Sequence, residues 1–129
     1  PTKVAATLAA ARNSWPNSRL VTVFQPHRYS RTQDLFEDFA SVLSETDVLL
    51  LCEVFAAGEE PIAGADGRAL AAAIRARGQV NPVFLSELDA LPNVLQGLLQ
   101  DGDVVLTLGA GSIGAASAAL LKQLEELDV

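Results

Sequence analysis

The chain has 129 residues, half of them apolar and 19% charged, which is enough apolar content to close one hydrophobic core. Sixteen acidic residues outweigh nine Lys and Arg for a formal net charge of -7, excluding the broad basic face that a nucleic-acid partner requires. One cysteine, Cys52, rules out an internal disulfide framework, and with one histidine, His27, the thiol and imidazole ligands of a structural zinc site are missing, so no metal site is expected.

In chain order, Thr2 is placed to cap a first helix in which Val4, Leu8 and Ala11 share one side, ending around residues 13–17 because Pro16 cannot continue it. Residues 19–25 (RLVTVFQ) have the dense β-branched and aromatic pattern of a strand buried on both faces, closed by Pro26. Ser30 with Gln33 fits a capping box, and Leu35, Phe36, Phe39, Val42 and Leu43 recur behind it at helical spacing, which predicts a second helix. Residues 47–53 (DVLLLCE) form an apolar run suited to a central parallel strand, with Asp47 and Glu53 as solvent-facing boundaries. Residues 56–67 hold three glycines, Pro61 and three acids, a loop long enough to reach over a ligand, before Asp66 caps a third helix that Gly78 ends. Pro82 within 80–85 predicts a short edge strand; Ser86 with Asp89 starts another helical segment, which Pro92 divides before Leu95. Asp101-Gly102 supplies a turn into a strand over 103–108 (DVVLTL), and Gly109 to Gly114 opens a final alanine-rich helix.

This alternation predicts an α/β domain, a three-layer α/β/α sandwich around a mainly parallel, Rossmann-like sheet with right-handed crossovers. No apolar run approaches the roughly 18 residues of a membrane span and no signal-type segment opens the chain, so neither a membrane partner nor export is expected and the setting reads as reducing and cytoplasmic. Methionine is absent and the chain opens on Pro1-Thr2-Lys3, so a piece of a longer polypeptide is expected.

Ligands of open α/β sheets gather at the carboxyl ends of the strands, and two segments fall there. The first is residues 25–32 (QPHRYSRT), which puts His27, Arg28 and Arg31 between a strand and a helix start. Cations in a helix's first turn are unfavourable unless an anion sits among them, and backbone donors with guanidinium forks suit a carboxylate or phosphate. The opposing reading, that Arg28 and Arg31 pair with Asp34, Glu53 or other surface acids while His27 simply packs, stands beside it. The second segment, residues 109–114 (GAGSIG), matches G-x-G-x-x-G after a strand. The dinucleotide fingerprint also needs a following strand with an acidic residue, which this chain lacks, so an anion or backbone-contact loop is preferred to NAD or FAD binding, and a steric turn remains the simple alternative. Glu59 and Glu60 read as solvated acids, and Cys52, inside an apolar strand, as packing. No P-loop lysine, Ser/His/Asp order or paired catalytic carboxylates emerge, so no catalytic residue is assigned.

Residues 24–32 (FQPHRYSRT), with 47–67 and 109–114, closely resemble the carboxy-terminal domain of the Mur ligases, and Pro1-Thr2 resembles the tail of that family's Asp-Asp-Tyr-Gly-His-His-Pro-Thr segment. The resemblance runs in order over nearly the whole chain. It implies a three-domain, ATP- and Mg-dependent bacterial enzyme of peptidoglycan precursor synthesis. The amino-terminal and central domains, outside this chain, would hold a UDP-sugar and the nucleotide, while this domain brings the amino acid. The implied reaction turns the carboxylate of UDP-N-acetylmuramate into an acyl phosphate that L-alanine attacks; the isolated domain would be inactive. By the same resemblance Arg28 and Arg31 clamp the L-alanine carboxylate, His27 forms a polar wall or donor, and Gly111 and Ser112 belong to a second substrate-side loop. The muramyl-tripeptide recycling branch of the family, whose arginine-bearing segment differs, is the alternative.

Overall fold

The structure, a computed structural model, describes residues 1–109. Its elements are α1 (Thr2–Ser14), β1 (Leu20–Gln25), α2 (Tyr29–Asp34), α3 (Phe36–Leu43), β2 (Val48–Cys52), α4 (Gly67–Arg77), β3 (Val83–Leu85), a 3-10 turn (Leu88–Ala90), α5 (Leu91–Leu98) and β4 (Val104–Gly109). All four strands are parallel, in the order β3-β2-β1-β4. The chain winds outward from β1 through β2 to β3 and then returns to add β4 on the other side of β1. Because parallel crossovers are right-handed, that reversal moves the connecting helix to the opposite face.

Two cores result, as period-two alternation along buried strands demands. On one face Phe24, Leu49 and Leu51 pack against Val4 and Leu8 of α1, Phe39 and Leu43 of α3, and Leu70 and Ile74 of α4. On the other, Val21, Val23, Leu50 and Cys52 meet Leu91 and Leu95 of α5. This is the expected three-layer sandwich. The fully buried Thr22 is satisfied inside it, its Oγ1 lying 2.8 Å from Thr46 Oγ1, which in turn donates to the Leu20 carbonyl at 3.1 Å. Among the described residues no helix is long and apolar enough to cross a membrane.

Several local expectations are corrected. Thr2 is the first helical residue of α1 rather than its cap; Pro1 holds the cap position, and its carbonyl accepts the Ala5 N–H at 2.9 Å. The Ser30–Gln33 capping box does not form, because α2 starts at Tyr29 with Arg28 at the cap position and no side-chain cap. The predicted second helix is two helices, broken at Leu35 (φ -113°, ψ 20°), so that Phe39 and Leu43 of α3 reach the sheet. Pro92 sits in the first turn of α5, where its missing N–H costs nothing, and so opens that helix instead of dividing it. Glu87, not Ser86, holds the cap position of the preceding turn. The edge strand is shorter than 80–85, beginning only after Pro82. As expected, the Asp66 carboxylate accepts the Ala69 N–H at 2.8 Å, and Gly78 ends α4 with φ 79°.

Asp47 is no passive boundary. It takes two hydrogen bonds from Arg12, at 2.9 and 3.0 Å, and the Leu20 N–H at 2.8 Å, tying the end of α1 to the starts of β1 and β2. Arg19 and Asp103 do the same for β1 and β4, through contacts of 3.0 and 2.6 Å. The Arg19 guanidinium holds the Asp103 carboxyl below the usual carboxylate range, helped by the Gln100 N–H, and Arg12 does so for Asp47. Carboxyls lowered on folding contribute stability that is complete above their unfolded-state values and lost as pH falls through the folded-state values. Thermal melts should therefore be flat from neutral pH down to about pH 5 and fall steeply below about pH 4. Asp103→Asn should flatten part of that acid limb while lowering the neutral Tm; an unchanged limb would show that the pair adds no pH-dependent stability.

Candidate anion-binding site

The winding reverses between β1 and β4, and the crevice at the carboxyl ends of those strands is where this topology opens a binding site. A cavity of about 400 Å³ lies there. Its floor is apolar, with Phe24 of β1, Leu108 of β4 and Phe39 of α3, and its polar groups include Lys3 from α1, His27 from the β1–α2 turn and Arg31 from α2. No acidic residue is among its described lining, in a chain of net charge -7. Arg31 also lines a second hollow of about 540 Å³ together with Arg28, Ser30 and Asp34, so it borders both.

The turn carrying these residues is held from outside its own sequence. Beyond β1 the chain continues as a single parallel bridge, His27 to Phe55, in which the Phe55 N–H donates to the Pro26 carbonyl and the Arg28 N–H to the Phe55 carbonyl, both at 2.8 Å. The His27 ring stacks on the Phe55 ring, with centroids 5.8 Å apart and planes 13° from parallel. Arg28 is thereby kept at φ 68°, ψ 138°, a region that residues with a Cβ rarely enter. Such a conformation costs on the order of 1–3 kcal/mol and persists only where the surroundings over-determine it. Thr32 completes the constraint, giving the Arg28 carbonyl both its N–H, at 3.1 Å, and its hydroxyl, at 2.8 Å.

One expectation about anion binding is narrowed. The Ser30 N–H at the start of α2 is not open to a ligand, because Glu59 has reached it from the loop after β2. Its Oε1 accepts the Ser30 N–H at 3.1 Å and its Oε2 the Ser30 hydroxyl at 2.5 Å. Those Ser30 bonds, with smaller help from Arg28, pull the Glu59 carboxyl below its ordinary value. Glu59 is thus the anion that the cationic helix start calls for, and it is not merely a solvated acid. The guanidinium groups remain. Arg28 and Arg31 are both exposed, and neither is in an ion pair among the described residues, Asp34 and Glu53 included. Three residues apart at the start of one helix, they present two forks suited to a carboxylate.

The remaining candidates sort by geometry. Glu53 is an internal anchor rather than a boundary: its Oε1 takes the N–H groups of Val54 and Gly67, each at 2.8 Å, and joins the end of β2 to the start of α4. Burial pushes the Cys52 thiol up to about 11, so it is packing and not a nucleophile at neutral pH. Gly109 has φ 132°, and a Cβ on it would stand 2.3 Å from the Gln25 carbonyl oxygen; the first glycine of the G-x-G-x-x-G pattern is there so that β4 can run beside β1. Gly111 and Ser112 lie outside the described residues. No three His, Cys, Asp or Glu side chains converge to hold a metal ion among the described residues. Sequence reasoning missed Phe55 and Lys3. Phe55 carried no local signal, since its role arises from a bridge 28 residues away.

A parallel sheet with a cation-lined crevice at its switch point makes this α/β domain a candidate for ligand binding, and comparison with known proteins gives its family. The chain belongs to the Mur ligase family: the family's glutamate ligase domain matches residues 1–111. It is 58% identical over 124 residues to a UDP-N-acetylmuramate–L-alanine ligase of Methylococcus capsulatus, covering 96% of this chain and 26% of that protein. To the enzyme of the same name from Halorhodospira halophila it is 63% identical over 120 residues, covering 93% and 25%. The chain thus spans about a quarter of the length of these relatives. Among solved structures, the UDP-N-acetylmuramate-alanine ligase of Thermotoga maritima matches with a TM-score of 0.76 at 23% identity, over 98% of this chain and 25% of that one. A murein peptide ligase from Psychrobacter arcticus matches with a TM-score of 0.64 at 18% identity, over 95% and 25%. These structures share the fold.

Proposed function

We propose that this chain is the amino-acid-presenting domain of an ATP-dependent ligase that joins L-alanine to UDP-N-acetylmuramate in the cytoplasmic synthesis of peptidoglycan precursors. The observation that carries the reading is the crevice at the β1–β4 switch point, where Lys3, His27 and Arg31 line a cavity with no acid among its described lining, and beside which Arg28 lines the neighbouring hollow with Arg31, neither arginine in an ion pair among the described residues. Relatives named for that reaction, 58% and 63% identical, favour L-alanine over a muramyl peptide as the nucleophile.

In this reading the carboxylate of L-alanine rests between the Arg28 and Arg31 forks, which leaves its amine free. The apolar floor at Phe24, Phe39 and Leu108 excludes water from one side of the crevice. The amine attacks the carbonyl of an acyl phosphate, the C–N bond forms, the C–O bond to phosphate breaks, and inorganic phosphate departs as the amine loses its proton. Holding the two reactants in one place supplies effective molarity, the main contribution a binding domain can make. ATP and magnesium fall to the rest of the polypeptide, and the part left to this domain is to bind and orient the amino acid.

The test is an assay of the full-length enzyme for amide formation, with UDP-N-acetylmuramate, ATP, magnesium and each of L-alanine, glycine, L-serine or a muramyl-directed tripeptide. Product should form with L-alanine at the highest kcat/KM, with phosphate released in step with the amide. Preference for the tripeptide would assign the chain to the recycling branch, and no amide with any nucleophile would sink the reading.

A further inference from the structure

The residues that carry the proposed clamp do not position themselves. Arg28 sits at φ 68°, and α2, only six residues long, has no cap of its own. Isolated helices this short are unstable in water, and a cationic first turn weakens them further. What fixes the start of α2 is a side chain 29 residues away: Glu59 bridges the Ser30 N–H and hydroxyl with its two carboxylate oxygens, at 3.1 and 2.5 Å. The backbone of the same loop holds the other end of the turn, through the paired Phe55 bonds to Pro26 and Arg28 at 2.8 Å. The loop is braced in its own right, since the Glu59 N–H donates to the Ala56 carbonyl at 3.0 Å and the Ala65 N–H to the Ile62 carbonyl at 3.0 Å.

We propose that Glu59 is a positioning residue for the anion clamp: by engaging Ser30 it fixes the first turn of α2, and so sets where the Arg28 and Arg31 guanidinium groups stand. The proposal rests on the reading that those two arginines hold the carboxylate of L-alanine. It also gives Glu59 a second consequence. With the Ser30 N–H and hydroxyl already taken by an internal carboxylate, those two donors do not compete with the guanidinium forks for the substrate's carboxylate. Glu60, next in sequence, is exposed and has no such contact among the described residues, so it serves as the control.

The full-length enzyme decides this with Glu59→Ala, Glu59→Gln, Glu60→Ala and Arg31→Ala, each assayed for kcat and for the KM of L-alanine, ATP and UDP-N-acetylmuramate. Glu59→Ala should raise the alanine KM roughly tenfold, leaving kcat at saturating alanine and the other two KM values within about twofold, because a displaced clamp loses binding and not chemistry. Glu59→Gln keeps an amide oxygen for the Ser30 N–H and should recover most of the affinity, and Glu60→Ala should match the wild type. Hydrogen exchange over residues 26–36 should quicken in Glu59→Ala and return toward normal in Glu59→Gln, which reads the positioning even where activity is low. If Glu59→Ala leaves the alanine KM unchanged while Arg31→Ala raises it, or if it lowers kcat and raises every KM alike, the positioning role is overturned and the clamp stands. If Arg31→Ala itself leaves the alanine KM unchanged, the clamp reading has failed and the proposal falls with it.

Discussion

Gly109→Ala should leave the domain unfolded or close to it. Two costs coincide at this residue. Its φ of 132° lies in a region that residues with a side chain avoid, and an added Cβ would stand 2.3 Å from the Gln25 carbonyl oxygen, with Gln25 N and C both at 3.2 Å. The obstacle is the backbone of a central strand, which cannot swing away as a side chain would. Relief would have to come from pulling β4 off β1 at the point where Gln25 and Gly109 are in register, and so would break the ladder at the site itself. Strain of about 1–3 kcal/mol and overpacking of about 1–3 kcal/mol add to a large share of a net stability that for a domain of this size is on the order of 5–15 kcal/mol. Chemical denaturation should show the midpoint collapsing, or no cooperative transition at all. Gly97→Ala is the matched comparison, because a Cβ there meets nothing within 4 Å and it lies within α5, where alanine is the better helix former. A Gly109→Ala protein as stable as the wild type would mean that the β1–β4 contact relaxes far more easily than its geometry allows.

Arg31→Ala in the full-length ligase should raise the KM for L-alanine roughly ten- to a hundredfold with little change in stability. Hydrogen bonds to charged groups are worth about 1.5–3 kcal/mol, and each 1.4 kcal/mol is a factor of ten. Arg31 is exposed and in no ion pair among the described residues, so its removal leaves no stranded acid behind. Arg28 divides the two effects differently. Arg28→Gly removes the same kind of fork but also relieves a backbone at φ 68°, so it should weaken alanine binding while raising the thermal midpoint. That opposition, function lost and stability gained in one substitution, is what strain held at a binding site predicts. Kinetics and melting on the same preparations check it; an unchanged alanine KM in both variants would remove the clamp, and a lowered midpoint in Arg28→Gly would show that the turn is not strained.

Sites and fold were legible to different depths. The runs at 19–25 and 47–53 announced buried parallel strands, and that at 103–108 a further strand, because a strand covered on both faces is made mostly of apolar side chains, and Asp66 and Gly78 marked the ends of α4 because capping is a local act. The segment with His27, Arg28 and Arg31 was also legible, since cations at a helix start are a local anomaly that asks for an anion. The anion supplied within the chain was not legible. Glu59 is 29 residues from Ser30, and nothing in an acid beside a glycine says which helix it will reach. The same holds for Phe55 under the His27 ring, for Glu53 joining β2 to α4, and for Asp47, read as a boundary and found to tie three elements together.

Periodicity, turn chemistry and the placement of charge, all of which act over a few residues, therefore determined the class of fold, the strands and the position of the candidate site. The order β3-β2-β1-β4 was decided by tertiary structure alone, because it depends on which side of β1 the returning chain joins and no local interaction records that. Tertiary structure also decided why residue 109 must be glycine and which acid closes the start of α2, since both follow from backbones and side chains that meet only when distant strands are already in register.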